Sequence, residues 1–464
     1  MKVIKIGGGC LNGKKTIARI VDLIEEKAKG HIIVVSALNG VTDMLISGMD
    51  IALEQEDAIP RLISRLKAQH INIAKHLIHS RSALAQCTKD IGKMLHQLER
   101  LLYGLNFTRE ITPRLYDVIS SYGERFSAQL LTSILRSRGL PVVHRAPHKI
   151  GMITDGKFSD ATAKLKQTSR QLKQHLKPTN GPDTITFIPG FFGVSPQGDI
   201  TTFGRGGTDY SAAVVATAMN AGLLEIWKDV DGFMSADPRL VPEAGLIPVL
   251  SYEEAAELAY FGAKILHPRS VEPVRTKNIN IEIKNTLNPD AAGSLITAKS
   301  PRSKSIIKSV AYDMDIAVLK VHASGVGARP GILAQVAGKL TENGINIRSV
   351  ITSQTCISLL LSLGDVDTGR AALAKLKPRP YRRIEVLNDI ALISIVGDGI
   401  LRKTGIAARC FTAVANCGVN VEMISFGPSR AALYFLTKQK DLTTAVNAIH
   451  STFFSSPRCT PNPG

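Results

Sequence analysis

A glycine-rich segment stands between a predicted buried strand and a predicted helix, and few folds accommodate that order. Residues 202–210 read Thr-Phe-Gly-Arg-Gly-Gly-Thr-Asp-Tyr. The apolar run at 183–190 predicts the strand, and the small and apolar residues of 211–221 predict the helix. Glycines let backbone amides approach a ligand closely, and the helix N-terminus adds a positive field. The segment therefore predicts an anion site at one edge of an α/β sheet.

Two charged side chains in this segment indicate what kind of ligand it would hold. Arg205 carries a planar fork of donors that grips carboxylate or phosphate in bidentate fashion. Asp209 places a carboxylate beside it, suited to an ammonium group. A solvated glycine turn with a surface arginine is the competing interpretation. The choice depends on the rest of the chain.

The N-terminus repeats the order of strand, glycines and helix. Residues 3–6 form an apolar strand that ends in Gly7-Gly8-Gly9, and residues 14–29 carry apolar side chains at helical spacing. A second apolar strand is predicted at 32–35. Together they begin a parallel α/β sheet, whose ligands bind at the carboxyl ends of its strands.

Two further segments are unusual for their surroundings. Residues 44–135 read as helical, yet Gly123 lies among them, followed by Glu124. A glycine inside a helix costs about 1 kcal/mol, so we expect either close approach of a ligand or a helix C-cap there. The strand predicted at 224–228 runs into an acidic loop at 229–239, which suits a nucleotide and its metal. A plain turn is the alternative.

The pattern changes after a linker-like stretch at 298–308. Two copies of a βαββα unit of about 70 residues follow, and Gly-Ile-Asn-Ile at 344–347 matches Gly-Val-Asn-Val at 418–421. The second copy lacks a closing strand, which residues 305–311 are placed to supply. We predict a catalytic domain at 1–297, a linker at 298–312, and regulatory domains at 313–388 and 389–464.

Composition excludes several classes of function. The net charge of +18 is spread along the chain without a basic arm, and aromatic residues make up only 5%, so nucleic acid is not the expected partner. No apolar run approaches the roughly 18 residues of a membrane span. The six cysteines contain no Cys-x-x-Cys pair, so we expect reduced thiols in the cytoplasm and no protein-bound metal site.

The motifs at 202–210, 227–239 and 255–268, in this order, resemble those of the monofunctional aspartokinases. The resemblance runs from Lys5 to about Ser451. It implies an open, largely parallel sheet sandwiched by helices, followed by two ferredoxin-like α+β ACT domains. It also implies transfer of the ATP γ-phosphoryl to the side-chain carboxylate of L-aspartate, with Mg²⁺ accompanying ATP as co-substrate and with no organic prosthetic group. The product, 4-phospho-L-aspartate, opens the route to lysine, threonine and methionine.

The resemblance also assigns roles to individual residues. Lys5 would stabilise the phosphoryl group in flight, and Asp209 would orient the substrate and that lysine. Because the acceptor carboxylate is ionised at pH 7, catalysis should consist of positioning and charge neutralisation. The implied aspartate-binding residues are Thr42, Glu124, Arg205, Gly206, Gly207 and Thr208. The implied nucleotide-binding residues are Lys5, Gly7, Gly8, Lys228, Asp229, Met234, Arg239, Lys264 and Ile265.

The chain departs from the usual pattern at the nucleotide site. The usual opening is Lys-Phe-Gly-Gly-Thr-Ser, whereas Gly9 and Cys10 stand here in the last two places, so two hydroxyls are lost. Lys228 and Met234 replace a common threonine and tyrosine of the nucleotide loop. These exchanges leave the contacts to the phosphates, base and ribose open.

A third departure concerns regulation. The effector residues implied by the resemblance are Arg348, Thr352, Ser353 and Gln354, and two of them replace the aspartate and glutamate common in lysine-inhibited relatives. Lysine feedback is therefore in question, and threonine, another amino acid or no effector stay open. ACT units bind effectors where two of them meet edge to edge, so a homodimer or tetramer is expected.

Three other readings of the chain stay open at this point. One is a kinase for another small acid such as acetylglutamate, which the long helical insert and Glu124 disfavour. Another is an amino-acid-sensing ACT protein whose kinase domain has degenerated, motivated by Gly9 and Cys10. The last is nucleic-acid binding, which rests on net charge alone.

Overall fold

A computed structural model describes residues 1–176, 181–263, 265–298 and 306–454. The chain forms two compact units. The first comprises Met1–Phe233, Leu246–Ala256 and Lys264–Pro301. The second comprises Met234–Gly245, Glu257–Ala263 and Arg302–Gly464. The predicted boundaries of the catalytic and ACT domains stay predictions.

The first unit is built on an eight-stranded sheet in the order β3-β4-β2-β1-β7-β9-β10-β8. Its pairings are parallel, except that β9 and β10 are antiparallel. A separate hairpin joins β5 and β6. The strands of this unit are β1 (Lys2–Ile6), β2 (Ile32–Val35), β3 (Val142–His144), β4 (Ile185–Pro189), β5 (Phe192–Val194), β6 (Ile200–Thr202), β7 (Leu223–Lys228), β8 (Val249–Ser251), β9 (Ile281–Asn285) and β10 (Ser294–Thr297).

Helices account for the rest of the first unit. They are α1 (Gly13–Lys27), α2 (Val41–Glu54), α3 (Ala58–Leu77), α4 (Arg81–Thr108), α5 (Pro113–Ser120), α6 (Tyr122–Ser137), α7 (Pro147–Ile150), α8 (Leu165–His175), α9 (Gly207–Met219), α10 (Tyr252–Tyr260) and α11 (Val271–Arg275). The residues of α10 up to Ala256 belong to the first unit, and its remaining residues belong to the second. Within the described ranges, no helix is long and apolar enough to cross a membrane.

The central strands are apolar along their length because helices cover both faces of a parallel sheet. All four residues of β2 are buried, and Ile4 and Ile6 of β1 are fully buried. On α1, the buried Ile17 and Ile24 lie on the apolar stripe that the sequence predicts. These strands hold the loops at their carboxyl ends in fixed positions.

The central glycine-rich segment differs from its prediction in two ways. The hairpin of β5 and β6 lies between β4 and the loop, although the sequence predicts a direct connection. The helix also begins at Gly207, four residues before the predicted start at Ser211. Gly206, with φ at +71°, is its N-cap and turns the chain into the first helical turn. Thr208 and Asp209 therefore lie on that first turn.

Gly123 lies in the first turn of α6, so the C-cap interpretation is wrong. A Cβ atom at this position would lie 2.8 Å from Cβ of Ala37 and 3.6 Å from Oγ1 of Thr42. Glycine is required because the loop after β2 and the start of α2 approach the helix backbone closely here. Thr42 is thereby placed beside the helix turn that carries Glu124.

The second unit contains two four-stranded antiparallel sheets, in the orders β13-β14-β12-β15 and β11-β16-β18-β17. The α/β fold class followed by ferredoxin-like ACT units is confirmed. Strand β11 pairs with β16, so a segment before the first ACT sheet closes the second. The elements are β11 (Ser309–Asp313), β12 (Ala317–His322), α12 (Ile332–Glu342), β13 (Ser349–Thr352), β14 (Cys356–Leu361), α13 (Val366–Ala374), β15 (Arg383–Leu387), β16 (Ile390–Val396), α14 (Ile406–Asn416), β17 (Met423–Phe426), β18 (Ala432–Lys438) and α15 (Leu442–Phe454).

Candidate active site

Four neighbouring parallel strands end at the same edge of the large sheet. The loop after β1 contacts β7, since Gly7 N–H donates to the carbonyl of Trp227 at 3.2 Å. The loops after β2 and β4 are held by similar hydrogen bonds. Ser36 N–H donates to the carbonyl oxygen of Ile6 in β1, and Gly190 N–H donates to that of Val35 in β2. This edge is where open α/β sheets bind ligands, and it gathers the residues that the sequence singles out.

A buried ion pair joins Lys5 and Asp209 at the centre of this edge. Lys5 Nζ lies 2.5 Å from Asp209 Oδ1, and the two side chains are only 5% and 7% exposed. Burial alone would raise the pKa of Asp209, but the ammonium groups of Lys5 and Lys228 outweigh it and hold that pKa below its usual value. Asp209 is thus an ionised carboxylate that holds Lys5 in place.

Lys228 brings a second ammonium group to the same carboxylate. Its Nζ lies 3.9 Å from Asp209 Oδ2, and its side chain is mostly buried. Burial, and secondarily Lys5, lowers the pKa of Lys228, while Asp209 opposes that shift. Sequence reasoning places Lys228 among nucleotide-binding residues, without anticipating that it faces the carboxylate of Asp209.

The glycines after β1 line the space around this pair. A Cβ atom at Gly7 would lie 3.3 Å from Lys5 Nζ, and one at Gly8 would lie 3.3 Å from the carbonyl oxygen of Ala37. A Cβ atom at Gly9 would lie 2.9 Å from Asp229 Oδ2. The carboxylate of Asp229 therefore occupies the space that the Cβ atom of any residue other than glycine would need at position 9.

Cys10 does not supply a replacement for the lost hydroxyl. Its thiol is buried, accepts a hydrogen bond from Thr286 Oγ1 at 3.4 Å and lies 3.5 Å from the carbonyl oxygen of Trp227. Burial raises the pKa of Cys10, so the sulfur stays protonated at neutral pH. The side chain packs as a small apolar group beneath the glycine loop.

Glu124 presents a buried carboxyl group next to the loop. Thr208 Oγ1 donates to its Oε1 at 3.4 Å, whereas its Oε2 is buried without a hydrogen-bond partner among the described residues. Burial raises the pKa of Glu124 to about 8, and the backbone N–H of Ala37 moderates that rise. An ammonium group at Oε2 would satisfy the oxygen and stabilise the ionised form.

Arg205 and His267 are two further basic side chains at the glycine loop. Arg205 is exposed, and none of the ion pairs recorded within the described ranges includes it. A side chain at Gly206 would overlap the ring of His267, so glycine is required there. Burial lowers the pKa of His267, although Asp209 opposes that shift, and its buried Nδ1 has no partner in the described part of the chain.

Asp117 fixes the entry to the loop and was missed in the sequence. Its fully buried carboxylate accepts hydrogen bonds from N–H and Oγ1 of Thr202, both at 2.8 Å, and from N–H and Oγ of Ser159 at 2.9 and 3.0 Å. An aspartate among apolar positions of a predicted helix was the available signal, because an unpaired buried carboxylate is costly.

Arg269 holds the next part of the loop and was also missed. It donates to the carbonyl oxygens of Phe203 at 3.0 Å and Ala161 at 2.8 Å. Its guanidinium lies 4.9 Å from the ring centroid of Tyr210. Asp117 and Arg269 thus immobilise Thr202 and Phe203, the two consecutive residues that lead into the turn with Arg205.

Met234, Arg239, Lys264 and Ile265 are the remaining predicted nucleotide-binding residues. Met234 and Arg239 belong to the second unit, where Arg239 pairs with Asp237 at 2.6 Å. Ile265 belongs to the first unit and is partly buried. Lys264 lies outside the described residues. The nucleotide-binding roles of these four residues stay predictions.

The predicted effector residues lie in the first ACT sheet of the second unit. Thr352, Ser353 and Gln354 form the exposed turn from β13 to β14. Arg348, just before β13, is largely buried and pairs with Asp313 at 2.8 Å. It also donates to the carbonyl oxygen of Tyr260 at 3.0 Å. The cation therefore has partners within the unit, and its effector role stays a prediction.

The fold and site define a small-molecule kinase of the amino acid kinase class. Residues 1–285 match the model of the amino acid kinase family, and residues 393–453 match that of an ACT domain. Aspartokinase 1, chloroplastic, from Arabidopsis thaliana is 31% identical over 98% of this chain and 80% of its own length. A bifunctional aspartokinase/homoserine dehydrogenase of Zea mays is 27% identical over 98% of this chain, which spans only 50% of that relative.

Two structures of E. coli aspartokinase III are similar over 98% of this chain, each at 27% identity. The complex with aspartate and ADP in the R-state has a TM-score of 0.83 and is covered over 100% of its chain. The complex with lysine and aspartate in the T-state has a TM-score of 0.81 and is covered over 99%. The chain belongs to the aspartokinase branch of the amino acid kinase family.

Proposed function

We propose that this protein transfers the γ-phosphoryl group of MgATP to the side-chain carboxylate of L-aspartate. The observation that carries the proposal is the buried Lys5–Asp209 pair, with an unpartnered Glu124 oxygen at the same sheet edge. The first suits phosphoryl transfer, and the second suits the α-ammonium group of an amino acid. A simple carboxylic acid would leave Glu124 without a partner.

The chemistry requires charge neutralisation more than proton transfer. An aspartate carboxylate oxygen forms a bond to the γ-phosphorus while the bond to the β,γ-bridging oxygen breaks, and ADP leaves. Both partners are anions, so the ammonium groups of Lys5 and Lys228 and the amides of Gly7 and Gly8 would reduce their repulsion. Asp209 keeps Lys5 oriented without acting as a base.

Mg²⁺ enters this scheme as part of the nucleotide substrate. The carboxylate of Asp229, beside Gly9, offers oxygen ligands of the kind that Mg²⁺ prefers. It would help to hold the metal ion that accompanies the phosphates. When bound, the ion neutralises charge on the β- and γ-phosphoryl oxygens.

The α-substituents of aspartate would set specificity. Glu124 would bind the ammonium group, with Thr42 and Thr208 beside it, and Arg205 would bind the α-carboxylate. Acetylglutamate lacks a free ammonium group and would leave the buried Glu124 carboxyl group unpaired. Glutamate carries one extra methylene between the α-carbon and the reacting carboxylate.

Trapping of the acyl phosphate with hydroxylamine tests the proposal. We expect hydroxamate from aspartate in the presence of MgATP, with little from glutamate or acetylglutamate. Lys5→Met and Asp209→Asn should abolish the product while the protein stays folded by circular dichroism. Folded wild-type protein that gives no hydroxamate with any acid would favour the amino-acid-sensing ACT protein with a degenerate kinase domain.

We further propose regulation by an amino acid other than lysine at the ACT units of a homodimer or tetramer. Arg348 puts a cation, and Gln354 a neutral amide, where the resemblance expects carboxylates for a cationic effector. Repeating the assay with lysine and with threonine tests the choice, and sedimentation tests the assembly. Inhibition by lysine at concentrations well below those of threonine would contradict the proposal.

A cytoplasmic location is proposed on the cysteine usage alone. Five cysteines in the described ranges are free thiols, as a reducing compartment requires. The name of the Arabidopsis relative includes "chloroplastic", so relatives also work in another reducing compartment. Fractionation of the source cells with an antibody to the protein separates the two.

A further inference from the structure

A second cationic cluster is formed by residues of α6, β3 and α7 that are not among those assigned to aspartate and ATP. Arg125 follows Glu124 in the first turn of α6, and its guanidinium lies between two aromatic rings. The guanidinium carbon is 5.3 Å from the ring centroid of Tyr122 and 4.8 Å from that of Phe192. Both rings hold the planar cation in one orientation.

Among the described residues, Arg125 has no acidic partner of the kind that a buried cation normally has. Its Nε is buried without a hydrogen-bond partner, and no ion pair within the described ranges includes it. Burial lowers its pKa, but an arginine stays charged at neutral pH. Because a desolvated and unpaired charge is expensive, such a residue marks a place where an anion can bind.

Two histidines complete the cluster. His144 ends β3, and His148 in α7 stacks on Phe192 with ring centroids 6.4 Å apart. His144 Nε2 and His148 Nδ1 are buried and have no hydrogen-bond partner among the described residues. Each neutral imidazole has one N–H to donate, so both rings can contribute hydrogen bonds to an anion beside Arg125.

The charges that act on these histidines are of one sign. Burial lowers the pKa of His144 to about 4 and that of His148 to about 4. For His144 the secondary causes are the cations Arg136, Arg125 and Lys149, in that order. For His148 they are Arg125 and then Lys149. Among the described residues, no carboxylate contributes to these two pKa shifts. A cluster of basic groups of this kind favours an anion over a metal ion.

We propose that Arg125, His144 and His148 form a binding site for a small oxyanion, either a carboxylate or a phosphate group. Arg125 supplies the charge and a planar fork of donors, and the imidazoles supply single donors. Tyr122 and Phe192 form apolar walls that favour a compact ligand. The site is separate from the Lys5–Asp209 pair.

The site shares two elements with the aspartate-binding residues. Arg125 is adjacent to Glu124 on α6. Phe192 follows Phe191, whose Cδ2 lies 2.8 Å from the position of a Cβ at Gly207. Occupancy would therefore fix the first turn of α6 and the loop before the hairpin, which are elements that also position Glu124 and the glycine loop.

The test is a calorimetric titration of the full chain with inorganic phosphate and, separately, succinate, at constant ionic strength. The Lys5→Met background removes the competing phosphate site at the glycine loop. We expect binding of at least one probe and at least a tenfold loss of affinity in Arg125→Met. Binding of phosphate alone assigns a phosphate ligand, and binding of succinate alone assigns a carboxylate.

Arg138→Met is the matched control, because it removes the same charge from the end of the same helix, where Arg138 pairs with Asp22 and Glu25. It should leave the affinity unchanged. His148→Phe keeps the stacked ring and should weaken binding severalfold, which decides the matter if Arg125→Met does not fold. No binding of either probe, or equal binding in Arg125→Met or His148→Phe, overturns the proposal.

Discussion

Glu124 should make the binding of aspartate depend on pH across the neutral range. Its pKa is about 8 in the free protein, so about 91% of the molecules carry the ionised form at pH 9, about 9% at pH 7 and about 1% at pH 6. Only the ionised carboxylate neutralises an ammonium group. The KM for aspartate should therefore rise about 90-fold from pH 9 to pH 6, approaching tenfold per pH unit below pH 7.

The direction of this pH dependence follows from the linkage between aspartate binding and proton binding at Glu124. An ammonium group beside Glu124 lowers the carboxyl pKa, so binding near pH 7 releases close to one proton. Calorimetry in two buffers of different ionisation enthalpy measures that proton directly. The same shift acts on stability: the folded state holds an extra proton between pH 4.5 and about 8. Its favourable contribution is complete below pH 4.5 and is lost as the pH rises through about 8.

Glu124→Gln provides the control. The amide keeps the shape of the side chain but cannot ionise, so the KM should be high and nearly independent of pH. Steady-state assays between pH 6 and 9, with saturating MgATP, compare the two proteins below the pH at which the substrate ammonium itself titrates. A flat KM in the wild type, or a Gln variant with the same pH profile, would refute the assignment of Glu124 to the ammonium group.

Three substitutions test the rest of the site. Lys228→Met should lower kcat about tenfold to hundredfold at saturating substrates, since an ammonium group 3.9 Å from the Asp209 carboxylate is lost. An unchanged kcat would contradict the role of Lys228 in charge neutralisation. Asp117→Asn should cost about 1–3 kcal/mol in urea unfolding because it leaves the Thr202 donors poorly matched, and it should also raise the KM for aspartate. An effect on stability without one on KM would limit Asp117 to a structural role. Gly9→Thr should raise the KM for MgATP about threefold to tenfold, because the Cβ atom of the new threonine displaces the carboxylate of Asp229. A lower KM would show that the restored hydroxyl group matters more than the displacement of Asp229.

Regular elements could be predicted wherever the pattern was long or fully apolar. Strand β2 has the predicted bounds, because it is a short, fully apolar run between polar segments. The hairpin of β5 and β6 was missed because its strands have three residues each, too few to show alternation. The predicted start of α9 is four residues late because the apolar pattern begins only at Ser211, whereas the helix begins directly after Gly206, a left-handed N-cap.

The site could be predicted only as far as its motifs extend. Lys5, Glu124 and Asp209 lie in recognisable segments, and the structure brings them to one sheet edge. The partners of Asp117 and Arg269 could not be found this way, because they lie between 42 and 108 residues away in the chain. Such contacts are created by folding and leave no local spacing to read.

The departures from the usual sequence pattern at Gly9, Cys10 and Lys228 have related structural consequences. Gly9 leaves space that Asp229 occupies, and Cys10 packs beneath the loop with its thiol protonated. The two hydroxyls of the usual pattern are lost, but Lys228 contributes an additional ammonium group. It extends from the end of β7 to the carboxylate of Asp209. Decay of an unused site would remove charged groups from it. Here a glycine makes room for a carboxylate and a second cation joins the central ion pair, which is the arrangement that the proposed binding of anionic phosphates requires.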